Sequence, residues 1–319
     1  MKVAVVAFGG NALMGHEGKS NYADQTRRTD TICRKLLGLF ELGYRIVITH
    51  GNGPQVGNIL MQQECLIDSL PPMPLDVCNA MTQGQIGYMI EQRLRNIFEE
   101  KKINKSVIVL VTQVVVSEND PAFKNPTKFI GPFFREEETE RLEKEKGWDM
   151  KEDSGRGYRR IVPSPRPIDI VEKDEISDMA NRDLVVVACG GGGIPVLRDK
   201  KGKLKGVAAV IDKDYAAERL ASLIGADSLI LITPVDKVSI FYGTSKQKDL
   251  GRISLDELKG YYDEGHFPPG SMGPKIEAAM KFISEGGNRT IITSIEGLDD
   301  AIKGEGGTVI TQRNNVNKP

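Results

Sequence analysis

Three lysines stand beside turns that can hold an anion: Lys128 in NPTKFIG, Lys213 in VIDKDYAAERLA and Lys275 in GSMGPKIEAAMKF. Lys213 follows an apolar run at the start of a helical pattern, and Lys275 follows a Gly-Pro turn that opens another, so both are expected to point toward one ligand edge. Asp214 has two open roles: it caps its helix dipole, or it accepts hydrogen bonds from two lysines and holds them in register. Asp212 is open to either role. Ammonium groups gathered by a carboxylate suit phosphoryl transfer, which asks a protein mainly to position two reactants and to neutralise charge on the transferred oxygens.

Backbone donors would come from glycines. Four turns carry them: FGGNAL (8–13), HGNGPQVG (50–57), CGGGGIP (189–195) and PPGSMGPK (268–275). Glycine permits positive φ and close approach to N–H groups, and a helix N-terminus behind it carries partial positive charge. Several such turns at the carboxyl edge of one parallel sheet would make an extended anion site.

Familiar phosphate signatures fit less well. GKS at 18–20 resembles the end of a P-loop, but Leu13 stands where the leading glycine is required and no strand runs into it. HGNGPQVG spaces its glycines as GxGxxxG, follows the second strand run rather than the first, and has no ribose-binding acid about 20 residues on. This argues against a dinucleotide oxidoreductase. The HRD and DFG stretches of protein kinases are absent from the sequence.

The elements that must position these residues alternate along the chain. β-Branched runs at 3–8, 45–50, 106–116, 183–189, 206–212, 228–233 and 289–294 predict strands. Amphipathic stretches at 24–42, 55–68, 82–101, 214–224, 254–262, 274–285 and 296–303 predict helices. The pattern predicts a three-layer α/β/α sandwich with a mostly parallel central sheet, formed by one domain over residues 1–319. Residues 118–166, dense in charge, poor in strand runs and holding the only Trp, break the rhythm and predict an inserted lid subdomain that protrudes from the sheet. Residues 136–147 within it read as a solvated helix face. Arg156, Arg159 and Arg160 bracket the lid and suit surface roles equally well.

Lys plus Arg (43) nearly cancel Asp plus Glu (44), so nothing in the net charge favours nucleic acid or a membrane as partner. The N-terminal MKVAVVAFGG is too short to span a bilayer and lacks a signal-peptide pattern, so a soluble, cytoplasmic protein is expected. Cys33, Cys65, Cys78 and Cys189 have no metal-ligand spacing and are expected to be small buried hydrophobes. The terminal QRNNVNKP is expected to be a frayed end.

Together GGNAL, THGNGPQVG, QGQIGY, DPAFKNPTKFIG, SGRGYRRIVPSPRP, GGGGIPV, VIDKD and GHFPPGSMGPKIEAA resemble the carbamate kinase family of the amino acid kinase superfamily, in the expected order over nearly the whole chain. The resemblance implies an α/β/α sandwich with a protruding subdomain and a homodimer. It also implies Mg²⁺-dependent transfer between ATP and carbamate, often run from carbamoyl phosphate and ADP to ATP. On matching positions, Gly9, Gly10, Asn11, Gly51, Asn52 and Gly53 would grip the carbamate and the transferred phosphoryl. Lys128, Lys213 and Lys275 would bear its charge, with Asp214 organising lysines. Thr233, Val235, Asp236 and Tyr242, together with Met272, Gly273, Pro274 and Lys275, would line the nucleotide. No protein ligand to Mg²⁺ is assigned, because phosphates and water fill most of its octahedron. Phe8 and Phe129 depart from the family pattern, replacing an aliphatic residue and a proline, and are expected to affect lid packing and how Lys128 is presented.

Carbamate carries its nucleophilic oxygen as an anion, so no general base is needed and His50 is expected to be structural. The helices near 55–68 and 82–101 are the expected dimer contact, with burial inside the monomer as the competing reading. Another small-acid kinase of the superfamily, or a non-catalytic nucleotide or carbamoyl phosphate sensor, remains open on the residues alone.

Overall fold

The computed structural model describes residues 2–313 apart from 15–20, 66, 68, 154 and 271. The GKS triplet and the last six residues of the C-terminal tail lie outside the described residues.

Continuous apolar runs such as VAVVAF and SLILI cannot face water on either side, and they form strands buried on both faces. Among the described residues the main sheet has eight strands, in the order Arg252–Ser254, Thr308–Thr311, Arg289–Thr293, Ser228–Ile232, Val3–Phe8, Arg45–His50, Val185–Val187, Val107–Val109. Neighbours are parallel except Arg289–Thr293 with Thr308–Thr311. Val5, Ala7, Val47, Leu229 and Leu231 project to one face, against helices Lys173–Asn181, Lys213–Leu223, Leu255–Asp263 and Met272–Ser284. Ala4, Val6, Phe8, Ile46, Ile48 and Ile230 project to the other, against helices Tyr22–Lys35, Leu75–Lys101 and Leu298–Lys303. This is the three-layer α/β/α sandwich.

Register places the turns. Val3–Phe8 and Arg45–His50 run in step from Val3 opposite Arg45 to Phe8 opposite His50, so Gly9 and Gly51 leave the sheet at the same level. Ser228–Ile232 lies on the other side of Val3–Phe8 and delivers Thr233 to the same carboxyl edge.

Several expected boundaries differ. The 106–116 run is two strands: Val107–Val109 stays in the main sheet, and Gln113–Val115 joins a second sheet beside Ile194–Arg198 and Asp169–Ile170. Of the 206–212 run only Gly206 is in a strand, Leu204–Gly206, and Asp212 caps a helix. Helix Leu75–Lys101 begins seven residues before the expected 82, and helix Lys173–Asn181 was not expected. Cys33, Cys78 and Cys189 are buried as expected, but Cys65, just past a helix end, is exposed.

The 118–166 region contains more strand than its composition suggested. Lys128–Phe134, Tyr158–Val162 and Asp149–Glu152 pair antiparallel, and helix Glu136–Lys146 connects two of them. These strands are short and half-exposed: Asp149–Glu152 and Tyr158–Val162 are rich in charge, and the apolar residues of Lys128–Phe134 are interrupted by Gly131 and Pro132, so none gives a continuous β-branched run. The helix buries only Leu142, in keeping with a solvated face, and carries glutamates in its first turn and lysines in its last, which suits its dipole. Trp148, two residues beyond the helix, is buried, with the Arg160 guanidinium 4.8 Å from its ring centre and the Phe134 ring at 6.0 Å. The small sheet rests on helix Gly53–Glu64, where a Cβ on Gly57 would lie 2.0 Å from the Cα of Gly131. Lys146 reaches Glu64 from the same side at 2.6 Å. Phe8 is buried beside His50, ring centres 6.4 Å apart, and the Phe129 ring faces the Arg159 guanidinium at 5.9 Å.

Candidate active site

The two glycine turns at the centre of the sheet meet. The Gly51 N–H donates to the Phe8 carbonyl at 2.8 Å, and a Cβ on Gly51 would stand 2.8 Å from the Gly10 nitrogen and 3.1 Å from Cδ of Lys213. A side chain at Gly51 would therefore fill the gap between two backbones and the lysine stem. Gly10 opens helix Gly10–Met14 and Gly53 opens helix Gly53–Glu64, with Pro54 in the first turn where its missing N–H costs nothing. A Cβ on Gly53 would meet only open space. Gly9 accepts at its carbonyl from the Ala12 N–H at 3.0 Å. The backbone of Asn11 belongs to the first of these helices, and its side chain lies outside what is described.

Lys213 begins helix Lys213–Leu223 because Asp212, in extended backbone, caps it: its Oδ1 accepts the Asp214 N–H at 2.9 Å. Asp214, buried, accepts Lys213 Nζ at 2.5 Å on one oxygen and Lys275 Nζ at 3.0 Å on the other. Lys275 stands in the first turn of helix Met272–Ser284, where the Gly273 N–H donates to the Pro268 carbonyl at 3.0 Å and Pro274 is buried. Lys128, at the start of strand Lys128–Phe134, donates to the remaining oxygen of Asp212 at 2.5 Å. Asp212, which the sequence left without a settled role, is thus both helix cap and partner to Lys128.

The electrostatics follow from this sharing. Burial raises the Asp214 carboxyl, but the charges of Lys213 and Lys275 outweigh it and leave the group below its usual range. Asp212 is likewise held well below that range, burial being overcome by Lys128 and Lys213. Burial lowers the Lys213 ammonium, with nearby Lys275 acting in the same direction, whereas at Lys275 the Asp214 charge overcomes burial and raises it. Three ammonium groups face two carboxylates, so an arriving anion meets one positive charge in surplus. Every oxygen of Asp212 and Asp214 is engaged by a lysine or by the cap, and among the described residues no group of three or more His, Cys, Asp and Glu is disposed to hold a metal. A divalent cation fits here only as one carried by phosphate oxygens and water.

Asn52 is buried and turned away from the lysines: its Nδ2 donates to Asn79 Oδ1 and, at 2.7 Å, to Thr82 Oγ1. The turn at 190–193 is closed by packing. Gly191, Gly192 and Gly193 have φ of 68°, 86° and 83°, and a Cβ on them would lie 2.2 Å from Asn52 Nδ2, 2.2 Å from the Ile211 carbonyl oxygen and 2.1 Å from Val114 Cγ2. His50 is buried, its Nδ1 3.2 Å from the Gly51 carbonyl, and burial lowers it to about 4, so it is neutral at pH 7.

The expected nucleotide residues occupy a neighbouring stretch with contacts of its own. The Thr233 N–H donates to the Thr293 carbonyl at 2.9 Å, Asp236 accepts from the Ser294 hydroxyl, Val235 is half-buried, and Tyr242 is 70 % exposed. Met272 packs against the sheet core together with Val238 and Phe267. Clefts of about 80 Å³ beside Lys237, Arg252 and Glu305, and of about 10 Å³ between Leu60, Ile130 and Trp148, lie away from the lysine cluster. Sequence reading assigned no role to the buried polar residues Asn79, Thr82 and Gln83, the last of which opens the QGQIGY block; their signal was a polar stripe at i, i+3 and i+4 of a helical pattern.

The sequence matches the Amino acid kinase family over residues 2–294. It is 46% identical over 311 residues to a carbamate kinase of Pyrococcus furiosus, covering 97% of this chain and 99% of the relative. It is 47% identical over 314 residues to carbamate kinase 1 of Enterococcus faecium, covering 98% and 99%. Among solved structures, carbamate kinase from Giardia lamblia bound to AMP-PNP superposes with a TM-score of 0.90 at 40% identity, covering 97% of this chain and 98% of that one. The chain belongs to the amino acid kinase family, in the branch formed by the carbamate kinases.

Proposed function

We propose that the protein is a carbamate kinase that transfers a phosphoryl group between ATP and carbamate, its lysine cluster and the Gly9–Gly10 and Gly51–Gly53 backbones meeting the group in transit. The observation that carries this reading is the sharing of Asp214 by Lys213 and Lys275, beside the contact of Gly51 with Gly10 and Lys213. A site that only bound an anion would gain little from two ammonium groups held in register by one buried carboxylate. A transition state with charge spread over three equatorial oxygens gains a great deal.

In the direction of ATP formation, a terminal phosphate oxygen of ADP attacks phosphorus in line. The bond from phosphorus to the carbamoyl oxygen breaks, and carbamate leaves as an anion. Nucleophile and leaving group are both anions, so no proton is moved and neutral His50 has none to take. Mg²⁺, carried by the nucleotide phosphates, supplies charge neutralisation when bound. Lys128 reaches the cluster from the 118–166 region, which serves as a lid whose strand brings the ammonium beside Asp212. Thr233, Val235, Asp236, Tyr242 and the 272–275 turn are the nucleotide side, and Gly9, Gly10, Asn11, Gly51, Asn52 and Gly53 the phosphoryl and carbamate side. Asn52 contributes there through its backbone, since its side chain is held elsewhere. A cytoplasmic homodimer is part of the same reading: Met81 and Tyr88 are exposed two turns apart on helix Leu75–Lys101 and offer an apolar face to a second copy, a state that light scattering measures.

The deciding experiment mixes the protein with ADP, Mg²⁺ and carbamoyl phosphate and follows ATP. ATP formation is expected. Turnover only with another acyl phosphate would assign a different acceptor, and nucleotide binding without turnover would make the protein a sensor.

A further inference from the structure

Helix Leu75–Lys101 turns Asn79, Thr82 and Gln83 inward, and all three are at most 1 % exposed. Buried amides and hydroxyls are costly unless their partners are in place, and here the partners are the turns of the active site. The Gln83 carboxamide acts as a short strand toward Thr112: Oε1 accepts the Thr112 N–H at 2.8 Å, and Nε2 donates to the Thr112 carbonyl at 3.1 Å and the Gly190 carbonyl at 3.0 Å. Asn79 takes the other end of that glycine turn, its Nδ2 donating to the Gly193 carbonyl at 2.6 Å while its Oδ1 accepts from Asn52. One helix face therefore grips both ends of the 190–193 turn and the side chain of Asn52.

From there the contacts run to the reacting edge. Gly192 lies against the Ile211 carbonyl, directly before the Asp212 cap of the Lys213 helix. Asn52 follows Gly51, which lies against the Lys213 stem and the Gly10 nitrogen. The path closes on itself, from the 51–52 backbone through Asn79 and the 190–193 turn to Lys213 and back to Gly51. We propose that Asn79 and Gln83 are positioning residues for phosphoryl transfer, fixing the separation of the Gly51–Asn52 backbone and Lys213 without touching substrate. The proposal rests on the kinase reading above. Among the described residues neither amide bonds to residues 233–242 or 268–275, so the nucleotide side is expected to survive their loss.

The test compares the full-length wild type with Asn79→Ala, Gln83→Ala, Asn79→Leu, Gln83→Met and Leu94→Ala in the ATP-forming assay, recording kcat, the KM for ADP and thermal stability. Leu94, fully buried further along the same helix, controls for destabilisation without touching the network. Asn79→Ala and Gln83→Ala are expected to lower kcat per folded molecule on the order of 10- to 100-fold, the sensitivity of a positioned reaction to displacements near 1 Å. Their KM for ADP should stay within about twofold of wild type, and Leu94→Ala should lose stability but not kcat per folded molecule. Equal kcat in all variants, or a loss confined to KM for ADP, would overturn the proposal. Should the alanine variants fail to fold, the volume-conserving Asn79→Leu and Gln83→Met, which remove the same hydrogen bonds, decide: a lowered kcat per folded molecule supports the proposal and wild-type kcat overturns it. Wild-type protein that forms no ATP would instead overturn the kinase reading, a result distinct from active wild type with unaffected variants.

Discussion

Strands Arg45–His50 and Val185–Val187 are parallel neighbours, and each runs on into glycines. After the first, Gly51 keeps a narrow gap beside the Lys213 stem and Gly53 faces open space. After the second, the places where side chains would sit are already taken by Asn52, Ile211 and Val114, and three successive residues hold positive φ. The same residue type thus serves approach in one turn and interlocking in the other. What separates them is whether a neighbouring residue fills the space, and that neighbour comes from a distant part of the chain.

Emptying the open turn of its cations should have the largest effect. Lys213→Ala and Lys275→Ala are each expected to lower turnover by at least ~100-fold with the fold retained, the magnitude seen when a group stabilising a transition-state charge is removed. Near-normal kcat in a folded variant would detach the cluster from the chemistry.

Next comes His50, which ends the strand of the open turn while its ring lies against Gly190 of the filled one. Its folded value of about 4 is below the ordinary 6.5, so between those pH values the unfolded chain binds more protons than the folded one, and stability falls as pH drops through that window. The loss is about 3 kcal/mol at most, from 1.36 kcal/mol per unit. Glu218, raised by burial, acts in the opposite direction, so the readout is the difference between wild type and His50→Asn in denaturation midpoints from pH 7 to pH 4. The variant should show the shallower acid decline, and parallel curves would exclude His50 as its source.

Filling the closed turn should cost folding. Gly191→Ala combines positive φ with a Cβ 2.2 Å from Asn52 and is expected to lose about 2 to 3 kcal/mol in denaturant unfolding, from strain and overpacking together. The smallest effect sharpens the contrast most. Gly53→Ala meets no protein atom, so stability should change by under about 0.5 kcal/mol. A fall in turnover there, without a fall in stability, would mean that substrate uses the space; unchanged turnover would remove Gly53 from the site.

Much of this is legible in the amino-acid sequence. Val3–Phe8, Arg45–His50, Ser228–Ile232 and Arg289–Thr293 are central strands buried on both faces, and such burial leaves a continuous apolar run in the sequence. Lys213, Asp214 and Lys275 were visible because a helix start and a Gly-Pro turn fix where each must sit, although the strand expected to lead into Lys213 ends at Gly206. Other features left little local trace. The break in the 106–116 run lies around Thr112, whose N–H donates to the Gln83 side chain and whose carbonyl accepts from both Gln83 and the Ile194 N–H, partners that come from distant parts of the chain. The strands of the 118–166 region are short, half-exposed and broken by charges or by Gly131 and Pro132, and Lys128 finds Asp212 across 84 positions of sequence. Asn79 and Gln83 left a trace only as a polar stripe with Thr82 at helical spacing, and the glycine carbonyls that they meet lie more than 100 positions away.

The seat of the small sheet on helix Gly53–Glu64 has a consequence for substitution. At Gly57 and Gly131 two main chains touch with nothing between them, 2.0 Å separating an imagined Cβ on one from the Cα of the other. Even a single methyl at position 57 would act as a shim, tipping the antiparallel unit that carries Lys128 while leaving every ionic partner chemically intact. Two residues with no side chain to offer a ligand thereby set the angle at which a distant ammonium meets its carboxylate.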